Sequence, residues 1–177
     1  MSVSGAPDYV EPVVGWRVWY VVEAGGTTRL SSVFYEMVWP TREPLVAVCL
    51  RSRFLRRRPP QGDHAAPAAS CGCGIYAASL QRAGEYLTGP RASGRAMCPV
   101  IGRVALWGSV VECAHGWRAS LAYPAQLYVP LLPRGRHAAL ARRFALDLTE
   151  YGVPVDLLEV RRPQELIPTL ASLATAA

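Results

Sequence analysis

Lysine is absent: the 177-residue chain carries 19 basic side chains, all of them arginine, against 13 acidic ones, for a net charge of +6. Part of this bias goes with an abundance of Ala, Arg, Gly and Pro that GC-rich coding favours. An apolar run of ~20 residues is also missing, which excludes a helical membrane span. The opening residues Met-Ser-Val-Ser-Gly-Ala-Pro-Asp have neither a basic region nor an apolar stretch, so no secretory signal is expected. With no such signal, the odd count of 5 cysteines points to a reducing cytoplasm, where thiols stay reduced or bind metal. Signatures of zinc enzymes are lacking as well. There is no H-E-x-x-H. The deaminase pairing of H-x-E with P-C-x-x-C fails, because Ala66 stands where the Glu is needed and the cysteines are spaced C-x-C.

What remains describes a folded domain. A hydrophobic content of 51% with 18% charged residues suits a globular chain, and the length suits one domain with its own core. Residues 1–14, with Pro7 and Pro12, read as an N-terminal arm; 15–160 as one α+β domain; 161–177 as a C-terminal helical tail. No internal repeat divides the chain.

One stretch demands a specific chemistry. Asp63 to Tyr76 places His64, Cys71 and Cys73 within ten residues, with Pro67 stiffening the span and Gly72 and Gly74 allowing a tight turn. One imidazole and two thiols suit tetrahedral zinc, which takes four N or S ligands in a closed structural site. The fourth must come from elsewhere, and Cys113 and His115 are the candidates. The bland alternative is two small residues at a turn beside a solvated histidine. A disulfide between Cys71 and Cys73 is not expected, since cysteines so close can hardly reach the required geometry without strain. Cys49 and Cys98 are expected to be buried thiols outside the site.

Around that stretch the patterning is mostly β. Trp16–Val22 is aromatic and β-branched, and Gly25-Gly26 supplies the positive φ of a hairpin turn into a partner strand over 29–39. A short strand is expected over 45–50. Val100–Glu112 is apolar on both faces, as a central strand should be. After Cys113-Ala-His-Gly, 117–122 returns antiparallel, Tyr123-Pro124 bends away, and 127–132 adds a short strand. Helices are expected over 75–87 and 134–151, the second with Leu140, Phe144, Leu148 and Tyr151 on one stripe and Gly152 as its cap. A strand over 153–160 and a marginal helix complete the chain. The predicted fold is therefore α+β: a bent, mainly antiparallel, barrel-like sheet with two or three packed helices and a zinc-stapled loop.

The densest charge cluster is Arg51, Arg53, Arg56, Arg57 and Arg58. It reads either as a solvated connection or as an arm contacting the phosphates of DNA or RNA, with Phe54 free to stack. Trp117 and Arg118, with Trp107 and Tyr123, extend that expected surface.

Three runs in order, Cys71-Gly-Cys-Gly-Ile-Tyr-Ala, Gly102-Arg-Val-Ala-Leu-Trp-Gly-Ser-Val and Gly116-Trp-Arg-Ala-Ser-Leu-Ala-Tyr-Pro, resemble a family of small uncharacterised bacterial proteins. The resemblance covers Trp16 to Val129. It implies a histidine ahead of the C-x-C, matched by His64, and a histidine where this chain has Cys113. A His-to-Cys exchange at a ligand position keeps the metal, so the resemblance favours Cys113 over His115. It implies no activity.

The function expected from the residues is a cytoplasmic zinc module, with a structural Zn2+, that binds nucleic acid or regulates. Two other classes stay open. A zinc hydrolase or deaminase would need an open coordination position and a carboxylate base, for which Glu112 is the one placed to serve. An adaptor would use the zinc only to shape a surface for a protein partner or small molecule.

Overall fold

The computed structural model describes residues 11–34, 37–49, 64–87, 98–133 and 136–176. Seven strands make one sheet: β1 (Val13–Ala24), β2 (Thr27–Ser32), β3 (Leu45–Val46), β4 (Ile75–Ala78), β5 (Cys98–Cys113), β6 (Gly116–Leu131) and β7 (Val155–Glu159). Among the described residues three α-helices join them: α1 (Leu80–Gly84), α2 (Arg136–Leu148) and α3 (Leu166–Ala176). All strand pairings are antiparallel except β6 with β7, and the α+β class with a bent sheet holds. β1, β5, β6 and β4 pair in a ring, closed by the single pairing of Trp16 with Ala78 and short of a true barrel.

The long β5–β6 hairpin is the spine. Val100, Val104, Leu106 and Val110 of β5 are buried, as a strand flanked on both edges requires. Register shifts between Arg103 and Val104 and between Trp107 and Val110 bend the hairpin. These bulges absorb what the sequence reads as a break: β6 runs unbroken through Tyr123-Pro124, so the two strands expected at 117–122 and 127–132 are one.

Period-two burial divides the core into two clusters. Trp19 and Val21 of β1 face one, with Phe144 and Leu148 of α2. Val18 and Tyr20 face the other, with Ala83 of α1 and Leu166 and Leu170 of α3. The C-terminal helix thus buries an apolar face in the second cluster.

Two expected elements change character. Residues 75–78 are strand β4 and not helix, because β6 offers them a free edge and Ile75 and Ala77 bury against the core; the helix starts only at Ser79, whose hydroxyl caps the Arg82 N–H. The strand expected over 29–39 stops at Ser32, and the chain folds back so that Val38 bridges Ser31. That reversal lays Trp39 edge-on against Trp19, ring centroids 5.4 Å apart.

Tyr151, at the end of the turn that continues α2, locks the reversal. Its hydroxyl accepts from the Leu30 N–H at 3.0 Å and donates to the Trp39 carbonyl at 2.8 Å. Burial pushes this phenol up from 10.0 to about 12, against the Leu30 bond that lowers it. Tyr151→Phe is expected to cost about 2 kcal/mol, since a buried donor and acceptor each lose a partner. In the parent chain the neutral phenol's contribution is complete below pH 10 and is lost as pH rises through about 12. Thermal melts of both chains between neutral and alkaline pH check it; a gap that stays constant to the top of that range contradicts it.

Candidate metal centre

The centre grows from the way β3 and β4 share one edge of β6. β3 runs antiparallel to β6, Leu45 opposite Ala122 and Val46 opposite Leu121, and the Ala47 N–H continues the ladder to the Ser120 carbonyl at 2.8 Å. β4 enters antiparallel with Ile75 opposite Ala119. The chain therefore leaves β6 at Ser120 and returns at Ala119, the two roots of the connecting segment lying end to end. Cys49 lies just beyond the outgoing root, and Cys71 and Cys73 precede the incoming one.

Cys49, His64, Cys71 and Cys73 each present one ligand atom, and these four atoms lie within 4.8 Å of one another. The Cys49 and Cys71 sulfurs are 3.8 Å apart, and His64 Nε2 is 3.3 Å from the Cys73 sulfur. The edge of a tetrahedron with ~2.3 Å metal–sulfur bonds is about 3.8 Å, so the four atoms lie close enough to hold a metal ion. None of the cysteines forms a disulfide, and all are half-buried.

Electrostatics inside the cluster is uneven. Desolvation opposes a thiolate at Cys71, yet hydrogen bonds from the Cys73 backbone and from the Cys73, Cys49 and His64 side chains prevail, and its thiol falls from 9.0 to about 7. Burial pushes the Cys73 thiol up, against a bond with the Ala68 backbone, and the neighbouring Cys71 pushes it further. Thiols this close resist a second negative charge until a cation joins them.

The ligand turn is held from β6 by Arg118. This side chain is 6% exposed. Its NH1 donates to the carbonyls of Ala68 at 3.3 Å, Cys73 at 2.9 Å and Cys71, and its Nε donates to the Cys113 sulfur at 3.1 Å. Gly74 makes the approach feasible: it sits at φ 120°, and a Cβ there would meet Pro67 at 3.0 Å and the Arg118 Cβ at 3.1 Å.

Three of the expected ligands come together and one does not. His64, Cys71 and Cys73 are joined by Cys49, which sequence spacing alone places outside the site as a buried thiol. Cys113 ends β5 opposite Gly116, three β6 residues from the root of the loop, and the Arg118 guanidinium stands between it and the ligand turn. His115 is exposed in the β5–β6 turn and is not one of the four. Cys49 escapes a reading by motif because fourteen residues lie between it and His64, a spacing that matches no short ligand pattern; only the shared edge of β6 brings it near.

The expected nucleic-acid surface fares differently. Arg51, Arg53, Arg56, Arg57 and Arg58 lie outside the described residues. Arg118 faces inward, onto the ligand turn. Trp117 packs against the main core cluster. Tyr123 does too, and its hydroxyl accepts from the Arg42 N–H at 2.7 Å and donates to the Tyr151 carbonyl at 2.9 Å. Among the described residues no helix is long and apolar enough to cross a membrane. No family model, curated protein or solved structure matches the chain.

Proposed function

We propose that this chain is a zinc-binding module in which Cys49, His64, Cys71 and Cys73 hold one structural Zn2+. The observation that supports it is the convergence of four soft ligand atoms within 4.8 Å from three separate stretches of chain. Three thiolates and an imidazole favour zinc over hard cations such as magnesium or calcium. Four protein ligands close the tetrahedron and leave no position for a reactive water, which favours a structural over a hydrolytic role. The ion would staple both roots of the 47–74 segment to the edge of β6, and so hold in place a wall that faces a large cavity. A ligand-binding or regulatory module is the reading this arrangement favours.

Elemental analysis of chain purified without chelator is expected to find about one zinc per chain, as for a single closed site. Bound zinc should fall as the solution is acidified, because protons compete for thiolates and imidazole. A metal-free chain that binds no added zinc would end the proposal.

A further inference from the structure

A cavity of about 740 Å³ opens beside the cysteine cluster, between the start of β1, the reversal after β2, β4 and α1. Its volume is in the range of sites for small organic molecules. Trp16, Phe34, Tyr76 and Tyr86 give it aromatic walls, and Val48 adds to its apolar surface. Phe34 is 59% exposed, Val48 46% and Tyr76 46%, so much of the large apolar surface that the fold leaves uncovered gathers here. Phe34 and Tyr86 meet edge to face, ring centroids 5.3 Å apart.

Two arginines, Arg17 and Arg82, line this cavity together with the cysteines of the cluster, and among the described residues no aspartate or glutamate does. Arg82 is answered by Glu85. Arg17 is not. Its NH1 donates to the Tyr76 carbonyl at 2.6 Å and its NH2 to the Ser32 hydroxyl at 3.3 Å, both neutral acceptors, and its Nε is buried without a partner. The Trp39 ring, 5.1 Å from the guanidinium carbon, is its other neighbour. Burial lowers this guanidinium from 12.5 to about 10, so it remains cationic at neutral pH. A half-buried cation with no carboxylate partner among the described residues is costly, and a fold that keeps one beside an aromatic cavity has a place prepared for an anion.

We infer that this cavity binds a small ring-bearing organic anion, a carboxylate or sulfonate, whose ring lies among Trp16, Phe34 and Tyr86 and whose charge pairs with Arg17. The planar, five-donor guanidinium suits an oxyanion, which can take two parallel bonds. The aromatic walls add affinity for a flat ring over an aliphatic chain. The inference goes beyond the zinc reading and is separable from it, since Arg17 lies on β1 and is no metal ligand.

The test uses the full chain with two matched probes, the anion anilinonaphthalene sulfonate and the neutral N-phenylnaphthylamine, each titrated by fluorescence. The wild-type chain should bind the anion saturably, one per chain, at least about tenfold more tightly than the neutral probe, the worth of a hydrogen bond to a charged group. Arg17→Met should remove most of that preference and leave the neutral probe within about twofold. Phe34→Ala, at an exposed position, should weaken both probes together. Wild-type chain that shows no saturable anion binding, or no preference for the anion, overturns the inference even if Arg17→Met fails to fold. A folded Arg17→Met chain with unchanged anion affinity overturns it too. Anion binding that depends on Arg17 in a chain found to lack zinc would uphold this inference and sink the other.

Discussion

Cys49→Ser is expected to weaken zinc binding by more than about a hundredfold, whereas Cys113→Ser should keep about one zinc per chain. Loss of an outer-sphere partner already costs about 10–100-fold in metal affinity, and loss of a ligand must cost more. A serine hydroxyl at position 49 is a poor ligand for zinc, and three remaining ligands leave the tetrahedron open. Cys113 lies beyond the Arg118 guanidinium and is not among the four clustered ligand atoms. Competition with a colorimetric zinc chelator reads both variants directly. The reverse order, with Cys113→Ser losing the metal and Cys49→Ser keeping it, would show that a different cage forms around the ion. His115→Ala, at an exposed turn, should behave like Cys113→Ser.

Arg118→Met should destabilise the chain by about 3 kcal/mol or more and lower zinc affinity by about 10–100-fold. The methionine fills the space of the arginine stem but offers no donor. Three backbone carbonyls, those of Ala68, Cys71 and Cys73, lose a charged donor at once, as does the Cys113 sulfur. Burial works against the Arg118 charge, but the bond to Cys113 and the field of that thiol raise its affinity for the proton, so it stays a cation while it holds the turn. For a chain of this size the loss corresponds to a fall of about 6–12 °C in melting temperature. Arg118→Lys should recover only part of it, because an ammonium has no planar fork to span several carbonyls. A melting temperature and zinc affinity unchanged in Arg118→Met would mean that the turn is held by its own backbone alone.

The residues themselves determine a good deal of this protein. The aromatic and β-branched run of β1 and the apolar run of β5 on both faces dictate strands, and both are there, each contributing to both core clusters. Gly25 and Gly26, at φ 61° and 78°, form the expected hairpin turn. The apolar stripe of Leu140, Phe144 and Leu148 specifies α2. His64, Cys71 and Cys73 mark a candidate metal site in the sequence because their spacing is local: ten residues and a glycine-rich turn suffice to bring them together.

Tertiary structure decided the rest, at places where the answer depends on which strand edges meet. Residues 75–78 share a helical spacing with residues 80–87, but an open edge of β6 makes them a strand. Arg118 looks like a surface cation in a β-hairpin, yet its position opposite Tyr76 points it at the carbonyls of the ligand turn. The fourth ligand shows the difference most plainly. Cys113 is well placed along the chain at the end of a strand, while Cys49 has no motif to mark it. β3 and β4 divide one edge of β6 between them and meet at Ser120 and Ala119, so Cys49 reaches the cluster and Cys113 does not. Side-chain periodicity tells which face of a strand is buried; only the register of the paired strands tells which of their ends touch.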